Sequence, residues 1–192
     1  MGPTPRRVPQ RGTVTCVTSE QIQRLSDRAE IWDLVCAYAR AIDRLDVDAV
    51  RSVYAADGVD HHTGFDGHAD DFVAFLARAL PTLGGTQHIL GNHLVEIRGD
   101  QAVAETYATA VHWGEPSTDP ALNYTSGLRY IDHLVKEDGR WVIAERWAAR
   151  EWTIATAGRH VPPAAPGPRG SRDEHDPLTV ALSALRAARS AG

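Results

Sequence analysis

The sequence is poor in the residues that build disulfide-bonded, zinc-binding and membrane-spanning structures. Its 192 residues include two cysteines, Cys16 and Cys36, and one methionine. Two cysteines cannot make a disulfide scaffold, and no CxxC pair indicates zinc. No run approaches the ~18 consecutive apolar residues that a membrane helix needs. The first eleven residues lack the apolar stretch of a secretory signal. We therefore expect a cytoplasmic protein.

An excess of basic charge is also absent. The chain has 20 lysines and arginines against 25 acidic residues, a formal charge of −5. This balance argues against binding to nucleic acid or to an anionic membrane. The sequence contains no GxGxxG, P-loop, HExxH or GxSxG motif, so nucleotide-binding, metalloprotease and serine-hydrolase classes lose their best evidence.

Prolines and glycines divide the chain into three parts. Residues 1–17 are interrupted by three prolines and two glycines and indicate a flexible tail. Residues 158–170 contain four prolines, which cannot continue a helix or an inner strand. We therefore predict one domain over residues 18–156, followed by a Pro/Gly-rich linker and a short C-terminal helix over 157–192. Asp176 is the expected N-cap of that helix. It is either a frayed tail or an arm that packs on a partner subunit.

The hydrophobic period changes from helical to extended inside the domain. Thr18 or Ser19 is the expected cap of a first helix, and Thr18 with Gln21 makes a weak capping box. Ser26 or Asp27 is the expected cap of the next helix, in which apolar residues recur at helical spacing up to Arg44. They recur again over 48–54 and 70–80. Four long strands follow over 88–97, 102–113, 123–135 and 141–152. Asp138-Gly139 is a strong hairpin signal. We predict an α+β fold: a cone-shaped, curved antiparallel sheet, covered on its concave face by the N-terminal helices. The interior of such a cone is a natural small-molecule pocket.

Four polar residues stand where the pattern favours apolar ones. Asp43 lies at the rim of the helix face and Tyr38 inside it. His88 begins the first long strand, where a lone histidine is more often structural than catalytic. Alternation places His88 on the opposite face of that strand from His93, and Arg146 on one face of the last strand with small residues. Because arginine is rarely buried unpaired, we expect an ion pair; its candidate partners are Glu105, Asp132 and Glu145.

A second group of histidines and carboxylates follows the predicted helices. Asp60, His61, His62, Asp66 and His68 lie in a glycine-containing stretch that we interpret as a loop. Close spacing of such side chains raises the hypothesis of a metal site. Adjacent histidines would point to opposite sides of a strand, so the hypothesis is weak and we predict no metal.

Three segments, residues 29–44, 86–92 and 139–146, resemble SnoaL-like proteins of the nuclear-transport-factor-2-like superfamily. The resemblance covers about residues 20–153. Within the superfamily it is closest to dehydratase-like members of the scytalone dehydratase and bile-acid 7α-dehydratase type. It implies an Asp–His pair inside the cone, no cofactor, and a homodimer or homotrimer. Asp43 and His88 match that pair, Tyr38 matches a helix tyrosine, and Arg146 matches a closing-strand arginine.

The resemblance implies a lyase that removes water from a cyclic hydrophobic molecule of polyketide, steroid or terpenoid type. His88 would abstract a proton while Asp43 orients it, and Tyr38 or Arg146 would stabilise the enolate or assist the leaving hydroxyl. The general acid stays open, with Tyr107 and His112 as candidates. Residues expected to line the pocket are Trp32, Tyr54, Tyr107, His112, Tyr130 and Trp147.

Three other classes remain open. A polyketide cyclase or a ketosteroid-isomerase-like enzyme would use the same cone. An epoxide hydrolase would use an Asp–Arg–Asp arrangement, for which Asp43, Arg146 and Asp132 are available. The third alternative is a non-catalytic ligand-binding module, since one fold hosts many functions.

Overall fold

Helices come first and strands second in the computed structural model, which describes residues 17–114, 123–155 and 170–190. The elements are α1 (Ser19–Arg44), α2 (Val47–Ser52), β1 (Tyr54–His62), β2 (Phe65–His68), α3 (Ala69–Ala79), a short 3₁₀ turn (Leu80–Thr82), β3 (Gly85–Arg98), β4 (Gln101–Trp113), β5 (Tyr124–Glu137), β6 (Arg140–Ala155) and α4 (Pro177–Ser190). The predicted α+β class is confirmed. Of the predicted tail and linker, residues 1–16 and 156–169 lie outside the described residues.

The six strands form one sheet in the order β2-β1-β6-β5-β4-β3. The sheet is mixed, because β1 pairs parallel to β6 while all other pairs are antiparallel. The purely antiparallel prediction is therefore wrong at this edge, and so is the loop predicted over 60–68. The glycines of this stretch do not mark a loop. Gly64 takes φ +84° in the turn after β1. Gly58 lies close to β6, where a Cβ would come within 3.0 Å of the Ile143 carbonyl oxygen.

Helix α1 is one continuous helix rather than two. Thr18 caps it in a complete capping box. The Thr18 hydroxyl accepts from the Gln21 N–H, and the Gln21 side chain accepts from the Thr18 N–H. The expected cap at Ser26 or Asp27 is wrong, because Asp27 binds across to the end of the sheet instead. Its carboxylate accepts from Lys136 Nζ at 2.6 Å and from Trp141 Nε1 at 2.9 Å. These bonds fix the first half of α1 against the hairpin between β5 and β6.

The apolar face of α1 packs on the concave side of the sheet. Ile31, Val35, Tyr38 and Ile42 are buried there, as the periodicity predicts. The helix ends at Leu45, which takes a left-handed conformation with φ 59°. This ending places the last turn of α1 beside the first residues of β3, where the sheet is open.

Two β-bulges change which side chains face the interior. Between Leu90 and His93 the β3 strand has two unpaired residues, Gly91 and Asn92, where β4 has one, Tyr107. This one extra residue turns His93 inward together with His88. The prediction that these histidines lie on opposite faces is wrong for this reason. An extra residue at Ala144 has the same effect on β6, where Ile143, not Ala144, shares the inner face with Arg146.

The largest fully buried side chain of the core is Arg146. Its Nε and Nη2 donate to the two carboxylate oxygens of Asp132 at 2.6 and 2.7 Å, so Asp132 is the ion-pair partner among the three candidates. The guanidinium carbon lies 4.0 Å from the ring centroid of Tyr38 and 4.4 Å from that of Tyr130. The ion pair and its two aromatic rings connect β5, β6 and α1 at the centre of the interior.

The C-terminal segment rests on its own domain. Asp176 caps α4 by accepting from the Leu178 N–H, and it pairs with Arg44 at 3.3 Å. Arg172 donates to the carbonyl oxygens of Asp43 and Leu83. The segment before α4 (Pro177–Ser190) therefore contacts the end of α1. None of the helices in the described ranges is long and apolar enough to cross a membrane.

We expect Asp132→Asn to lower the free energy of unfolding by about 3–5 kcal/mol, because the Arg146 charge would stay buried without a counterion. Urea denaturation measures the change. Glu96→Gln is the control, since Glu96 pairs with Arg98 on the surface and exposed pairs contribute little. If the two variants unfolded at the same urea concentration, the buried pair would not support the core as described.

Candidate active site

Asp43 and His88 form a hydrogen-bonded pair at the open end of the sheet. The carboxylate of Asp43 accepts from His88 Nδ1 at 2.8 Å. The same carboxylate accepts from the His88 backbone N–H at 2.9 Å and from the Thr86 hydroxyl at 3.0 Å. With Nδ1 as the donor, Nε2 is left as the acceptor of the neutral ring. A carboxylate that fixes the tautomer in this way is the arrangement of a histidine base and its orienting acid.

The local sequence explains why these groups meet. Thr86 and His88 are two residues apart on β3, so both side chains point to the same face. Asp43 lies in the last turn of α1, two residues before the left-handed cap at Leu45. The helix end therefore meets the strand start, and three donors converge on one carboxylate.

Hydrogen bonding keeps the Asp43 carboxylate charged despite its burial. The side chains of Asp43 and His88 are 14% and 7% exposed. Burial alone would raise the pKa of Asp43, but the hydrogen bonds and charge of His88 and the bond from Thr86 outweigh it and hold that pKa below its usual value. The carboxylate is thus ionised at neutral pH.

A cavity of about 520 Å³ touches both members of the pair. Its walls include Trp113 from β4 and Ser171 and Arg172 from the C-terminal arm. A larger groove of about 690 Å³ lies elsewhere, between the ends of β3 to β6, and touches neither Asp43 nor His88. We assign the candidate site to the smaller cavity, because it joins space for a ligand to a hydrogen-bonded acid–base pair.

His112 is the predicted lining residue that adjoins the pair. Its ring centroid lies 6.0 Å from that of His88, and its ring stacks on Tyr124 at 4.3 Å. Burial, together with the charge of His88, lowers the pKa of His112 to about 4. His112 is therefore neutral at pH 7, and its buried Nδ1 has no hydrogen-bond partner within the described parts of the chain.

Tyr38 and Arg146 belong to the buried cluster deeper in the interior. Burial raises the pKa of Tyr38 well above its usual value, and the Arg146 charge opposes that rise. Arg146 Nη1 is buried and has no hydrogen-bond partner among the residues that the structure describes. Burial also raises the pKa of Tyr130, and the negative charge of Asp43 raises it further. The pair and the cluster therefore lie within electrostatic range of each other.

The sequence analysis missed a second Asp–His pair, formed by Asp60 and His62 on β1. Asp60 is fully buried and accepts from His62 Nδ1 and from the Tyr54 hydroxyl. His62 Nε2 lies 3.5 Å from the Tyr38 hydroxyl, and the His62 ring stacks on Phe72 at 4.8 Å. Asp60 and His62 are two residues apart on β1, so both side chains point to the same face.

Five of the predicted lining residues do not reach the site. Tyr107 is 45% exposed on the outer face of β4, and Trp147 lies on the outer face of β6, stacked on His61 at 5.2 Å. Both were assigned to the interior, which is wrong. Trp32 contacts the His93 ring, more than two helical turns before Asp43. Tyr54 and Tyr130 are buried around Asp60 and Arg146 instead of lining the cavity.

His61 and His62 cannot share a metal ion, since they lie on opposite faces of β1. The outward His61 is held between Asp66 at 2.9 Å and Glu145 at 3.1 Å. Within the described ranges, the one group of three side chains close enough to ligate an ion is Asp173, Glu174 and His175, all exposed. Exposure and acidity alone do not make a metal site.

Comparison with known proteins assigns the family. Residues 23–147 match the model of the SnoaL-like domain. The chain therefore belongs to the SnoaL-like domain family of the nuclear-transport-factor-2-like superfamily, as the resemblance implied. It is 29% identical over 130 residues to an uncharacterized protein of Mycobacterium tuberculosis (strain H37Rv), covering 65% of this chain and 86% of that protein.

Several solved structures share the fold. A hexachlorocyclohexane dehydrochlorinase (LinA), type 2, superposes with a TM-score of 0.67 at 17% identity, covering 75% of this chain and 99% of that one. A putative scytalone dehydratase from Novosphingobium aromaticivorans gives 0.63 at 18% identity, with 76% and 98% covered. A protein from Kribbella flavida gives 0.63 at 22% identity, with 68% and 95% covered. These similarities establish the fold.

We expect Thr86→Val to raise the pKa of Asp43, because it removes one of the hydrogen bonds that lower it. Since the folded pKa lies below the unfolded value of 3.8, ionised Asp43 stabilises the fold above that pH. The contribution is lost as pH falls from that value through the folded pKa, and in the variant the total loss is smaller and is complete at a higher pH. Carboxyl ¹³C NMR titration measures the shift. Thr109→Val, on the outer face of β4, is the control and should leave Asp43 unchanged.

We expect the ring of His112 to become half-protonated near pH 4, as ¹⁵N NMR of labelled histidine would record. The unfolded chain takes up this proton at higher pH, so the neutral ring's contribution to stability is lost as pH falls from about 6.5 towards 4. His88→Gln should raise the His112 pKa by removing a neighbouring charge. Titration near the ordinary histidine value in the native protein would contradict the burial described.

Proposed function

We propose that the protein is a cofactor-independent lyase that eliminates water from a cyclic, hydrophobic β-hydroxy carbonyl compound. The observation that carries the proposal is the 2.8 Å bond between His88 Nδ1 and Asp43 beside a cavity of about 520 Å³. A cavity of this size suits a small cyclic molecule. The fold that this chain shares with a dehydrochlorinase and a putative scytalone dehydratase supports the reaction class.

His88 is the base in this proposal. Its Nε2 removes the proton next to the carbonyl group of the substrate, and Asp43 stabilises the imidazolium that forms. Because Thr86 and the His88 backbone also bind Asp43, the carboxylate does not have to reorganise during the step. General-base catalysis of this kind contributes about 10²–10⁴-fold.

Two neutral groups complete the chemistry. The neutral His112 hydrogen-bonds to the carbonyl oxygen as negative charge develops there, because an uncharged imidazole remains a donor. Tyr38, kept protonated by its raised pKa, donates its proton to the leaving hydroxyl, which departs as water. Arg146 stacks on the Tyr38 ring and stabilises the phenolate that remains. This role requires the substrate to extend beyond the residues that line the cavity, from the open end of the sheet to the buried Tyr38.

The competing functions are less well supported. In an epoxide hydrolase, Asp43 and Asp132 would both have to orient a water molecule. Here both oxygens of Asp132 bind Arg146, which is fully buried, and both oxygens of Asp43 are already bonded. A cyclase or an isomerase would use the same base and is distinguished by its product. A binding module would retain the cavity without turnover.

We expect His88→Ala to lower kcat about 10²–10⁴-fold on the substrate found by screening cyclic β-hydroxy ketones, steroids and aromatic polyketides. Asp43→Asn should give a loss of similar direction, because it removes the carboxylate that fixes the tautomer. Mass spectrometry follows the loss of one water. His133→Ala, on the outer face of β5, is the control and should retain full activity.

Other outcomes identify the other functions. Turnover at unchanged mass would favour an isomerase or a cyclase, and addition of water to an epoxide would favour the hydrolase. Ligand binding without turnover in any member of the panel would favour the binding module. Wild-type turnover that persists in a folded His88→Ala variant would remove His88 as the base.

A further inference from the structure

The Tyr38 hydroxyl is cut off from bulk water. Tyr38 is 1% exposed, and its ring is covered by Tyr54, Tyr130 and Arg146. Arginine does not lose its proton in proteins, so Arg146 can stabilise a Tyr38 phenolate but cannot reprotonate it. Any reaction in which Tyr38 gives up a proton therefore needs another group that returns one.

His62 is placed to do this. Its Nε2 lies 3.5 Å from the Tyr38 hydroxyl oxygen, a long hydrogen bond of the kind that tightens when a ligand closes an active site. Its side chain is 22% exposed, and it lines an open cavity of about 600 Å³ at the turn between β1 and β2. The ring thus contacts the buried hydroxyl and water at the same time.

The surroundings of His62 hold it in a defined orientation. Asp60 accepts from Nδ1, and Asp60 is itself fixed by the Tyr54 hydroxyl. Phe72 of α3 stacks on the ring, and Tyr130 of β5 lies at a tilted angle, with centroids 6.3 Å apart. This is the architecture of Asp43 and His88 repeated: a carboxylate held by a hydroxyl, an imidazole on its Nδ1 side, and a cavity beside the ring. A core that served stability alone would not need a second Asp–His pair.

We propose that His62, positioned by Asp60, carries protons between solvent and the Tyr38 hydroxyl. Its catalytic use rests on the proposed function. In each turnover Tyr38 donates its proton to the leaving hydroxyl, and water departs. His62 Nε2 then takes a proton from water in its own cavity and passes that proton to the phenolate, while Nδ1 keeps its hydrogen bond to Asp60. His88 releases the proton that it abstracted to solvent, so protons balance over the cycle and no co-reactant is needed.

The chain supplies a matched control one residue away. His61 also bonds to carboxylates through both ring nitrogens, Asp66 and Glu145, but it points to the outer face of β1 and stacks on Trp147. A substitution of His61 changes the same strand and the same residue type. It leaves the contact with Tyr38 intact.

The test measures hydroxyl hydrogen exchange and needs no substrate. In protein labelled with ¹³C at tyrosine Cζ, the isotope splitting in mixed H₂O and D₂O reports how fast each buried hydroxyl exchanges. Tyr38→Phe assigns the Tyr38 signal. We expect His62→Gln to slow exchange at Tyr38 by at least about tenfold, because it removes the carrier. His61→Gln should leave the rate unchanged.

Equal exchange rates at Tyr38 in folded His62→Gln and in the wild type would overturn the proposal. If His62→Gln does not fold, Asp60→Asn is the second variant, since it keeps the shape of the side chain while removing the charge that supports a protonated ring. It is expected to slow exchange in the same direction, and an unchanged rate there would overturn the proposal as well.

Catalytic use has its own readout. On a substrate that the wild type dehydrates, His62→Gln should lower kcat and leave KM unchanged, whereas His61→Gln should change neither. An unchanged kcat in His62→Gln would limit the relay to exchange and overturn its role in turnover. Because the exchange measurement is made without substrate, failure of the dehydratase proposal and failure of the relay are separate results.

Discussion

The buried ion pair between Arg146 and Asp132 is the constraint on which the interior depends. A guanidinium that is fully removed from water is tolerated only when its charge is compensated by a hydrogen-bonded counterion. Asp132 supplies two hydrogen bonds, and the rings of Tyr38 and Tyr130 cover the guanidinium. One cation thereby fixes β5, β6 and α1 relative to one another.

Two Asp–His pairs are held around this centre in the same way. Each imidazole has a carboxylate at Nδ1, and each carboxylate is held by a hydroxyl, from Thr86 in one pair and from Tyr54 in the other. One pair stands where α1 ends against β3, and the other lies on β1 at the parallel edge of the sheet. Tyr38 links the second pair to the cluster. Ionisable groups therefore lie at both ends of the interior, as the proposed transfer of protons requires.

Local patterns were sufficient to predict a large part of this structure. The periodicity of Ile31, Val35, Tyr38 and Ile42 predicted the buried face of α1, and Asp138-Gly139 predicted the hairpin between β5 and β6. The resemblance predicted Asp43 and His88 as a pair, and His88 Nδ1 lies 2.8 Å from the Asp43 carboxylate. Their roles in catalysis stay predictions. Errors arose where one residue shifts a ladder. A bulge at Ala144 or between Leu90 and His93 reverses every face assignment beyond it, and alternation alone carries no sign of the extra residue.

The sequence by itself determined the elements, their order and the identity of the chemical groups, because hydrophobic period and turn residues act over short distances along the chain. Tertiary structure alone decided which groups share an environment. It made β1 a strand parallel to β6, turned Tyr107 and Trp147 outward, and brought Asp60 and His62 inward to Tyr38. Those contacts join residues far apart in the chain, and their geometry depends on register and on burial that the pattern of a single strand does not contain.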